Sequence, residues 1–212
     1  MEWCVDIFHI PRYRIWINMI KESVILTDAD GVLLNWELAF FEWMSDRGIK
    51  MVDSTKYNVG DCYGISREYG KGLIREFNSS SAIERLAPFR DSIKYIRKLH
   101  EEHGFVFRVI TSLSKSPHAA RLRLKNLHAL FGTTAIDQLI CIDTGADKDE
   151  ELEVYRDSGC YWIEDKPENA DLGVRLGLNS VLISHPHNAS YDGKACRLEN
   201  WKDIYKYVTG EL

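Results

Sequence analysis

One short stretch constrains the fold of this chain more than any other part of the sequence. Residues 24–27 read Val-Ile-Leu-Thr, and Asp28-Ala29-Asp30-Gly31 follow directly. An apolar run that ends in polar residues is typical of a buried strand in a parallel sheet. Because side chains alternate along a strand, Asp28 and Asp30 should point the same way, at the strand end where open α/β sheets bind ligands. Two carboxylates this close repel each other unless a cation or a shared proton compensates them.

Three interpretations of this aspartate pair are open: a catalytic metal site, an ordinary surface turn and a calcium loop. A calcium loop needs a glutamate at its twelfth position, and counted from Asp28 that position is Ala39. Leu33, Leu34 and Trp36 inside the same window are not ligands either. Asp and Gly also favour plain turns. The apolar strand directly before the pair favours the catalytic metal site.

The composition is typical of a globular protein, and its net charge favours a small substrate over an extended nucleic acid. Of the 212 residues, 45% are hydrophobic and 28% are charged, which is ordinary for a globular chain with a sizeable core. The formal net charge of −5 argues against an extended nucleic-acid-binding surface, which would be basic. The five cysteines form no Cys-x-x-Cys pair, so we expect reduced thiols and a cytoplasmic location. We expect no membrane partner, because no apolar stretch approaches about 20 residues. A homodimer stays open.

The first residues are predicted to be an N-terminal extension, residues 1–18. Asp6, Pro11 and Arg12 interrupt its apolar character, which argues against a secretory signal. Met19 stands shortly before the first strand and resembles a natural start. We therefore expect a chain that begins at Met19 to fold and to function.

Strands and helices are predicted to alternate along the rest of the chain. Apolar runs predict strands, and helical periodicity bounded by Gly or Pro predicts helices. The predicted strands after the first are residues 105–110, 138–142, 160–163 and 179–183, and the predicted helices are residues 36–47, 92–103, 117–130, 149–158 and 167–176, before a terminal helix near residue 204. This alternation is typical of a doubly wound α/β domain with a parallel sheet and right-handed crossovers.

Local patterns add predictions for several polar residues. Asp91 is expected to cap the second predicted helix. In the helix that follows, the leucines should face inward, while Arg121, Arg123 and Lys125 should be mostly solvated. Residues 49–87 are rich in Gly, Asn and Ser breakers and should form short pieces packed over the site.

Polar residues close three later strands in the same manner as the first. Thr111 and Ser112 end one strand, Lys148 follows the next, and Glu164 and Asp165 end another. Together with the aspartate pair, they form an ordered set of four motifs. This set resembles the haloacid dehalogenase-like (HAD) phosphatase superfamily.

The resemblance implies a particular domain organisation. The core would be a Rossmann-like, doubly wound parallel sheet built from residues 19–35 and 88–212. A small, mainly helical cap, residues 36–87, would be inserted after the first strand and would enclose the substrate.

The same resemblance implies how the residues divide the chemistry. Asp28 would attack the phosphorus atom of a phosphate monoester and form an aspartyl-phosphate. Asp30 would protonate the leaving oxygen and then activate water. Thr111 and Ser112 would hold the transferring phosphate oxygens, and Lys148 would add a positive charge.

A Mg²⁺ ion completes the site that the resemblance implies. Its ligands would be the Asp28 carboxylate, the Asp30 backbone carbonyl and Asp165, with Glu164 acting through water. Glu164 is a mild departure from the Asp-Asp pair that many members carry at this motif. The neighbouring Lys166 would reach the substrate or stay solvated.

Within the superfamily, the sequence is similar to the 5′(3′)-deoxyribonucleotidases. Residues 184–204 are similar to the C-terminal pattern of that family, and Trp36 matches an aromatic position shortly after the first motif. An aromatic-rich cap triplet of the family falls on Tyr63-Gly64-Ile65, where Gly64 departs from the bulky residue expected. The similarity implies that Trp36, Tyr63 and Ile65 bind the base of a nucleoside monophosphate.

Two rival functions stay open. One is a HAD phosphatase for another small phosphate ester or for phosphorylated nucleic-acid ends, and the other is a catalytically silent binding protein. Loss of Asp28, Asp30 or Asp165 would favour the silent protein, and all three are present. His185 and His187 are not expected to hold a second metal, because hard cations prefer oxygen ligands.

Overall fold

In the described part of the computed structural model, residues 24–56 and 58–212, six parallel strands form one sheet. The strands are β1 (Val24–Thr27), β2 (Val106–Ser112), β3 (Ile136–Ile142), β4 (Tyr161–Glu164), β5 (Asn179–Ile183) and β6 (Cys196–Leu198), in the spatial order β3-β2-β1-β4-β5-β6. This sheet confirms the predicted doubly wound α/β fold. The predicted extension, residues 1–18, and Met19 lie outside the described residues.

Helices connect the strands along the described chain. They are α1 (Trp36–Asp46), α2 (Val59–Tyr63), α3 (Arg67–Asn78), α4 (Ser92–His103), α5 (Pro117–Phe131), α6 (Asp149–Glu153), α7 (Pro167–Arg175) and α8 (Trp201–Thr209), with 3₁₀ turns at Ser81–Arg85 and Pro186–Asn188. None of these helices is long and apolar enough to cross a membrane. Helix α6 is shorter than predicted, and β6 was not predicted, because three residues are too few to show a strand pattern.

The strand order brings the predicted motifs to one edge of the sheet. β1 is hydrogen-bonded to β2 on one side and to β4 on the other, with Thr27 paired to Val109 and to Ile163. The chain moves outward from β1 to β3 and then returns to the opposite side of β1. A crevice forms where the order reverses, at the carboxyl ends of the strands, and ligands bind there in open α/β sheets.

Helices cover both faces of the sheet. Ile25 and Leu26 are fully buried in two separate apolar clusters, because successive side chains of a strand point to opposite faces. Full burial of such a side chain contributes about 1.5–3 kcal/mol. The cluster around Ile25 also contains Phe40 of α1 and Phe77 of α3. These two helices therefore share one core with the sheet.

The cap segment, residues 36–87, is helical, but it differs from the prediction of short pieces. Helix α3 has 12 residues although Gly70 lies within it. A Cβ atom on Gly70 would come within 3.1 Å of the Gly60 nitrogen in α2. The glycine therefore permits a close crossing of α2 and α3, and this contact outweighs its low helix propensity.

Asp91 is the N-cap residue of α4, as predicted, but it does not cap the helix with its side chain. Its side chain makes no capping hydrogen bond to that helix. Instead its carboxylate accepts hydrogen bonds from the backbone N–H groups of Trp201 at 3.0 Å and Lys202 at 3.1 Å, which open α8. A carboxylate is equally favourable at either N-terminus, and the packing of α8 beside α4 decided which helix it serves.

His185 joins the loop after β5 to the loop after β1. It is 4% exposed, its ring stacks on Phe89 with 4.8 Å between centroids, and its Nε2–H donates to the Gly31 carbonyl at 2.7 Å. Burial disfavours the charged imidazolium and lowers the pKa of His185 to about 4, although the hydrogen bond to Gly31 acts in the opposite direction. The folded chain therefore keeps this ring neutral into the acid range.

We expect His185→Gln to weaken the acid sensitivity of folding. The pKa of His185 is lower in the folded chain than the ordinary value of 6.5 expected in the unfolded chain. Its contribution to the free energy of unfolding is therefore fully present above about pH 6.5 and is lost as the pH falls through about 4. Glutamine keeps a donor for the Gly31 carbonyl but does not titrate. The melting temperature of the variant should fall less than that of the wild type between about pH 7 and about pH 5 in thermal unfolding scans. Equal falls in both proteins would contradict the assignment.

Candidate active site

Asp28 lies where the chain leaves β1. Its backbone N–H donates to the Ile163 carbonyl of β4 at 2.9 Å, and its Oδ1 accepts from the Ala29 N–H at 2.6 Å. The residue is 8% exposed. Main chain and side chain are thus both fixed, and the carboxylate lies at the crevice between β1 and β4.

Lys148 lies between two of the predicted acidic residues. Its Nζ is 2.9 Å from Asp28 Oδ2 and 2.8 Å from Glu164 Oε2, and the side chain is 1% exposed. Burial lowers the pKa of the Lys148 ammonium, but the two carboxylates outweigh burial and raise that pKa above its usual value. The lysine therefore stays charged and ties the loop after β3 to the ends of β1 and β4.

Two buried carboxylates, Asp28 and Glu164, and the partly exposed carboxylate of Asp165 repel one another in this crevice. Burial, with the charges of Glu164 and Asp30, raises the pKa of Asp28 to about 7 in spite of Lys148. Burial and the charges of Glu164 and Asp28 raise the pKa of Asp165 well above its usual range. Burial also acts to raise the pKa of Glu164, but Lys148 and hydrogen bonds lower it overall. The surrounding residues therefore do not fully compensate a negative charge on Asp28 or on Asp165.

The carboxylates of Asp28, Glu164 and Asp165 fit a hard divalent cation. Each offers an oxygen atom within 4.8 Å of the others, and oxygen is the ligand that Mg²⁺ prefers. A cation there would also relieve the repulsion that raises the pKa values of Asp28 and Asp165. The donor set therefore agrees with the predicted ion.

Gly31 lets the Asp165 carboxylate approach the first motif. A Cβ atom at Gly31 would lie 2.5 Å from Asp165 Oδ2, which is closer than contacting atoms allow. Gly31 also has a φ angle of 73°, in the left-handed region that favours glycine. The glycine of the first motif is therefore needed for the turn and for the approach of the carboxylate.

Glu164 is held by more partners than the other two carboxylates. Its Oε1 accepts from the backbone N–H groups of Asp165 at 3.0 Å and Lys166 at 3.1 Å, and its Oε2 accepts from Asn169 Nδ2 at 3.1 Å as well as from Lys148. Both oxygens are occupied, which supports an indirect contact of Glu164 with a metal. The Lys166 side chain is half-buried at the start of α7.

The hydroxyl groups of the second motif differ in their surroundings. Thr111 is 1% exposed, and its Oγ1 has no hydrogen-bond partner among the described residues. Ser112 Oγ donates to the Ala146 carbonyl at 3.0 Å. A buried hydroxyl without a partner is costly, and the hydrogen-bonding capacity of Thr111 is unused among the described residues, whereas that of Ser112 is partly used.

Asp30 is paired with Arg123, which the sequence analysis placed in solvent. The Arg123 side chain is fully buried, its Nη1 contacts Asp30 Oδ1, and its Nη2 lies 3.2 Å from Asp30 Oδ2. The prediction failed because Arg123 shares a buried face of α5 with Ala119 and Leu127, four residues away on either side. This four-residue spacing was the sequence signal from which the burial of Arg123 could have been predicted.

The predicted base-binding residues pack in one aromatic group of the cap segment. The Trp36 ring stacks on Phe40 with 4.6 Å between centroids and is half-buried. Tyr63 is 5% exposed and meets the edge of Phe40 at 6.0 Å. Ile65 is half-buried against the same core. The structure thus brings Trp36 and Tyr63 together on Phe40, with Tyr63 mainly a core residue, and places Ile65 at the same apolar core.

Asn78 joins this aromatic group to the second motif, and nothing in its sequence context drew attention to it. Its Oδ1 accepts from Trp36 Nε1 at 3.0 Å, and its Nδ2 donates to the Leu113 carbonyl at 3.3 Å. Asn78 is 2% exposed at the end of α3. A lone asparagine near a helix end normally indicates a cap or turn, so only the fold reveals this link.

His185 and His187 approach Glu37 beside the crevice. Their potential ligand atoms also lie within 4.8 Å of one another. Nε2 of His185 is bonded to the Gly31 carbonyl, and Nε2 of His187 lies 3.2 Å from the Asp165 carbonyl. These contacts give both rings a structural role, and the expectation of no second metal there stays a prediction.

Solved structures similar to this chain include several HAD-type hydrolases. A haloacid dehalogenase-like hydrolase from Streptococcus pneumoniae aligns over 90% of this chain and 100% of its own, with a TM-score of 0.63 and 12% identity. A HAD family hydrolase from Deinococcus radiodurans R1 with bound phosphate and sodium covers 90% and 96%, with a TM-score of 0.57 and 15% identity. The L-2-haloacid dehalogenase from Xanthobacter autotrophicus with chloropropionic acid covalently bound covers 90% and 99%, with a TM-score of 0.55 and 10% identity.

One sequence relative comes from Enterobacteria phage T4. The uncharacterised 32.4 kDa protein in the Gp30–rIII intergenic region is 35% identical over 127 residues, which are 57% of this chain and 45% of the phage protein. The chain thus spans about half the length of the relative it matches. No model of a known protein family matches the sequence. The shared architecture over most of the chain establishes that this protein has the fold of the haloacid dehalogenase-like hydrolases.

Proposed function

We propose that this protein is a Mg²⁺-dependent phosphomonoester hydrolase that works through an aspartyl-phosphate on Asp28. The observation that carries the proposal is the Asp28 carboxylate at the end of β1, held against Lys148 and beside the carboxylates of Glu164 and Asp165. The similar structures include a phosphate-bound hydrolase and a dehalogenase with a covalent adduct. Fold alone does not choose between such chemistries. The four carboxylates of Asp28, Asp30, Glu164 and Asp165 outnumber the two cations paired with them, and this excess of negative charge favours a metal-assisted reaction of a phosphate ester.

The reaction divides into two displacements at phosphorus. In the first, a carboxylate oxygen of Asp28 forms a bond to phosphorus, the ester P–O bond breaks, and the leaving oxygen takes a proton from Asp30. In the second, Asp30 takes a proton from water, the water oxygen attacks phosphorus, and inorganic phosphate leaves Asp28. The two steps return Asp28 and Asp30 to their initial states.

Charge and position supply the rest of the rate enhancement. Lys148 holds Asp28 in place and places a fixed positive charge beside the phosphate, and the Thr111 hydroxyl donates a hydrogen bond to a phosphate oxygen. A bound Mg²⁺ ion, held by Asp28 and Asp165 with Glu164 in support, would neutralise the repulsion between the anionic nucleophile and the anionic substrate.

We propose deoxynucleoside monophosphates as the substrates. Trp36 supports this choice, because it opens α1 four residues after the turn at Val32 and keeps part of its ring exposed. Gly64 has a φ angle of 64° at the end of α2, so a glycine there is explained by the turn. The deoxyribonucleotidases carry a bulky residue at this position, and the backbone conformation explains the glycine here without reference to the substrate.

Another small phosphate ester is the second candidate substrate. The burial of Tyr63 in the core favours it, because a ring that is 5% exposed offers little surface for stacking on a base. The Tyr63 hydroxyl is the one polar group of this side chain, and it has no hydrogen-bond partner among the described residues.

Asp28→Asn should remove activity while the fold is kept. The substitution removes the nucleophile, so magnesium-dependent phosphate release should fall by more than about a thousandfold. The melting temperature should stay the same or rise, because a buried carboxylate with a raised pKa is replaced by a neutral group. The exposed Asp46→Asn is the matched control and should retain wild-type turnover. Full activity in Asp28→Asn would refute the mechanism.

Asp165→Asn should abolish stabilisation by Mg²⁺. In the wild type, an ion that binds only the folded chain should raise stability by about 2.7 kcal/mol at a hundredfold excess over its Kd. Without metal, the variant should melt at the same or a higher temperature, since it carries one carboxylate fewer in a repulsive cluster. Thermal scans with Mg²⁺ and with a chelator test both statements, with Asp46→Asn again as control. An unchanged magnesium response in Asp165→Asn would remove it from the metal site.

Trp36→Ala tests the nucleotide substrate. Stacking on a base contributes about 1–3 kcal/mol, so KM for a deoxynucleoside monophosphate should rise roughly tenfold while KM for glycerol phosphate, which has no ring to stack, changes little. Phe40→Leu is the control, because it disturbs the same aromatic stack from the core side. Equal losses on both esters in Trp36→Ala would assign Trp36 to packing and would favour the second candidate substrate.

A further inference from the structure

The two aspartates of the first motif have different cationic partners. Asp28 is held by Lys148, and Asp30 is held by Arg123. The oxygen atoms of Asp28, Glu164 and Asp165 gather within 4.8 Å of one another, and the Asp30 carboxylate is not part of that group. The two aspartates of the pair therefore have different cationic partners, although the charge of Asp30 still acts on Asp28.

Arg123 has the geometry needed to orient a carboxylate. Both of its terminal nitrogens contact Asp30, one on each oxygen, so the plane of the guanidinium fixes the direction of the carboxylate. A single ammonium group, such as that of lysine, would leave this direction free.

The rigidity of this pair comes from burial. Arg123 is fully buried on α5, whereas the Asp30 side chain is 21% exposed. A buried arginine cannot change rotamer without leaving its cavity. The neighbouring Asn126 ties the same helix to the Leu86 carbonyl at 3.0 Å. The α5 helix therefore holds a fixed cation against a partly exposed aspartate that lies two residues after Asp28.

We propose that Arg123 is a positioning residue that aims the Asp30 carboxylate at the leaving oxygen of the substrate. The proposal rests on the function proposed above. Arg123 itself touches neither the substrate nor the Asp28, Glu164 and Asp165 carboxylates. It acts through the direction of Asp30, which determines how well a proton passes from Asp30 to the ester oxygen as the P–O bond breaks.

This role predicts a dependence on the leaving group. An alkoxide leaves only if it is protonated, whereas para-nitrophenolate leaves without help. Because kcat/KM reports only the steps up to release of the leaving group, it isolates the proton donation from the later attack of water. Loss of Arg123 should therefore reduce kcat/KM for glycerol phosphate far more than for para-nitrophenyl phosphate.

The test compares Arg123→Met and Arg123→Lys with the wild type on these two esters. We expect Arg123→Met to lower kcat/KM for glycerol phosphate about a hundredfold and for para-nitrophenyl phosphate less than about threefold. Arg123→Lys should recover little, because it cannot keep both contacts. Arg121→Met, which removes an exposed arginine from the same helix, should match the wild type on both esters.

A double substitution separates positioning from general damage. In an Asp30→Asn background, the further change Arg123→Met should leave the residual kcat/KM nearly unchanged, and the two substitutions should be non-additive in urea unfolding. Equal losses on the two esters, or a further large loss in the Asp30→Asn background, would overturn the positioning role while leaving the phosphatase function in place. A wild-type protein that hydrolyses neither these esters nor deoxynucleoside monophosphates would refute both, and the urea measurements would then report the ion pair alone.

Discussion

The ion pairs of Lys148 with Asp28 and Glu164 are the interaction on which the rest of the site depends. A buried lysine is costly unless its charge is paired, and here it is paired twice, at 2.9 Å and 2.8 Å. The three residues come from the ends of β1, of β4 and of the loop after β3. The order β3-β2-β1-β4 makes these distant segments neighbours. Loss of the lysine would leave two buried carboxylates unpaired, so the geometry and the charge balance of the crevice would fail together.

Each acidic residue of the site has its own surroundings, and this division is what the different tasks proposed for these carboxylates would require. Asp28 is clamped by Lys148, and Asp30 is turned toward Arg123. Glu164 accepts hydrogen bonds on both oxygens, while Asp165 packs on the backbone of Gly31. Nucleophile, proton donor and metal ligand need different protonation and mobility, and such differences arise from partners and burial.

The cap segment shares an apolar core and a polar link with the sheet, whereas its sequence predicted only a small insertion packed over the site. Phe40 and Phe77 belong to the same apolar cluster as Ile25 of β1. Asn78 adds a polar link from Trp36 to the Leu113 carbonyl, next to the second motif. Because Asn78 is buried, breaking either bond would leave an amide unsatisfied. The position of Trp36 is therefore coupled to the position of the residues proposed to hold phosphate.

The sequence by itself determined the parallel sheet and the motifs at its strand ends, because apolar runs, periodicity and a D-x-D-G turn are local signals. β5 was predicted at its observed bounds, and Lys148 was identified although an isolated lysine is a weak signal. Only the tertiary structure decided which partners the polar residues have. Arg123 is buried with Asp30, and the Asp91 carboxylate accepts hydrogen bonds from the N-terminus of α8. Asn78 links the cap segment to the core, and β6 forms at the sheet edge. These features depend on contacts between residues far apart in the chain, and no local pattern encodes which buried cation or carbonyl a polar side chain will meet.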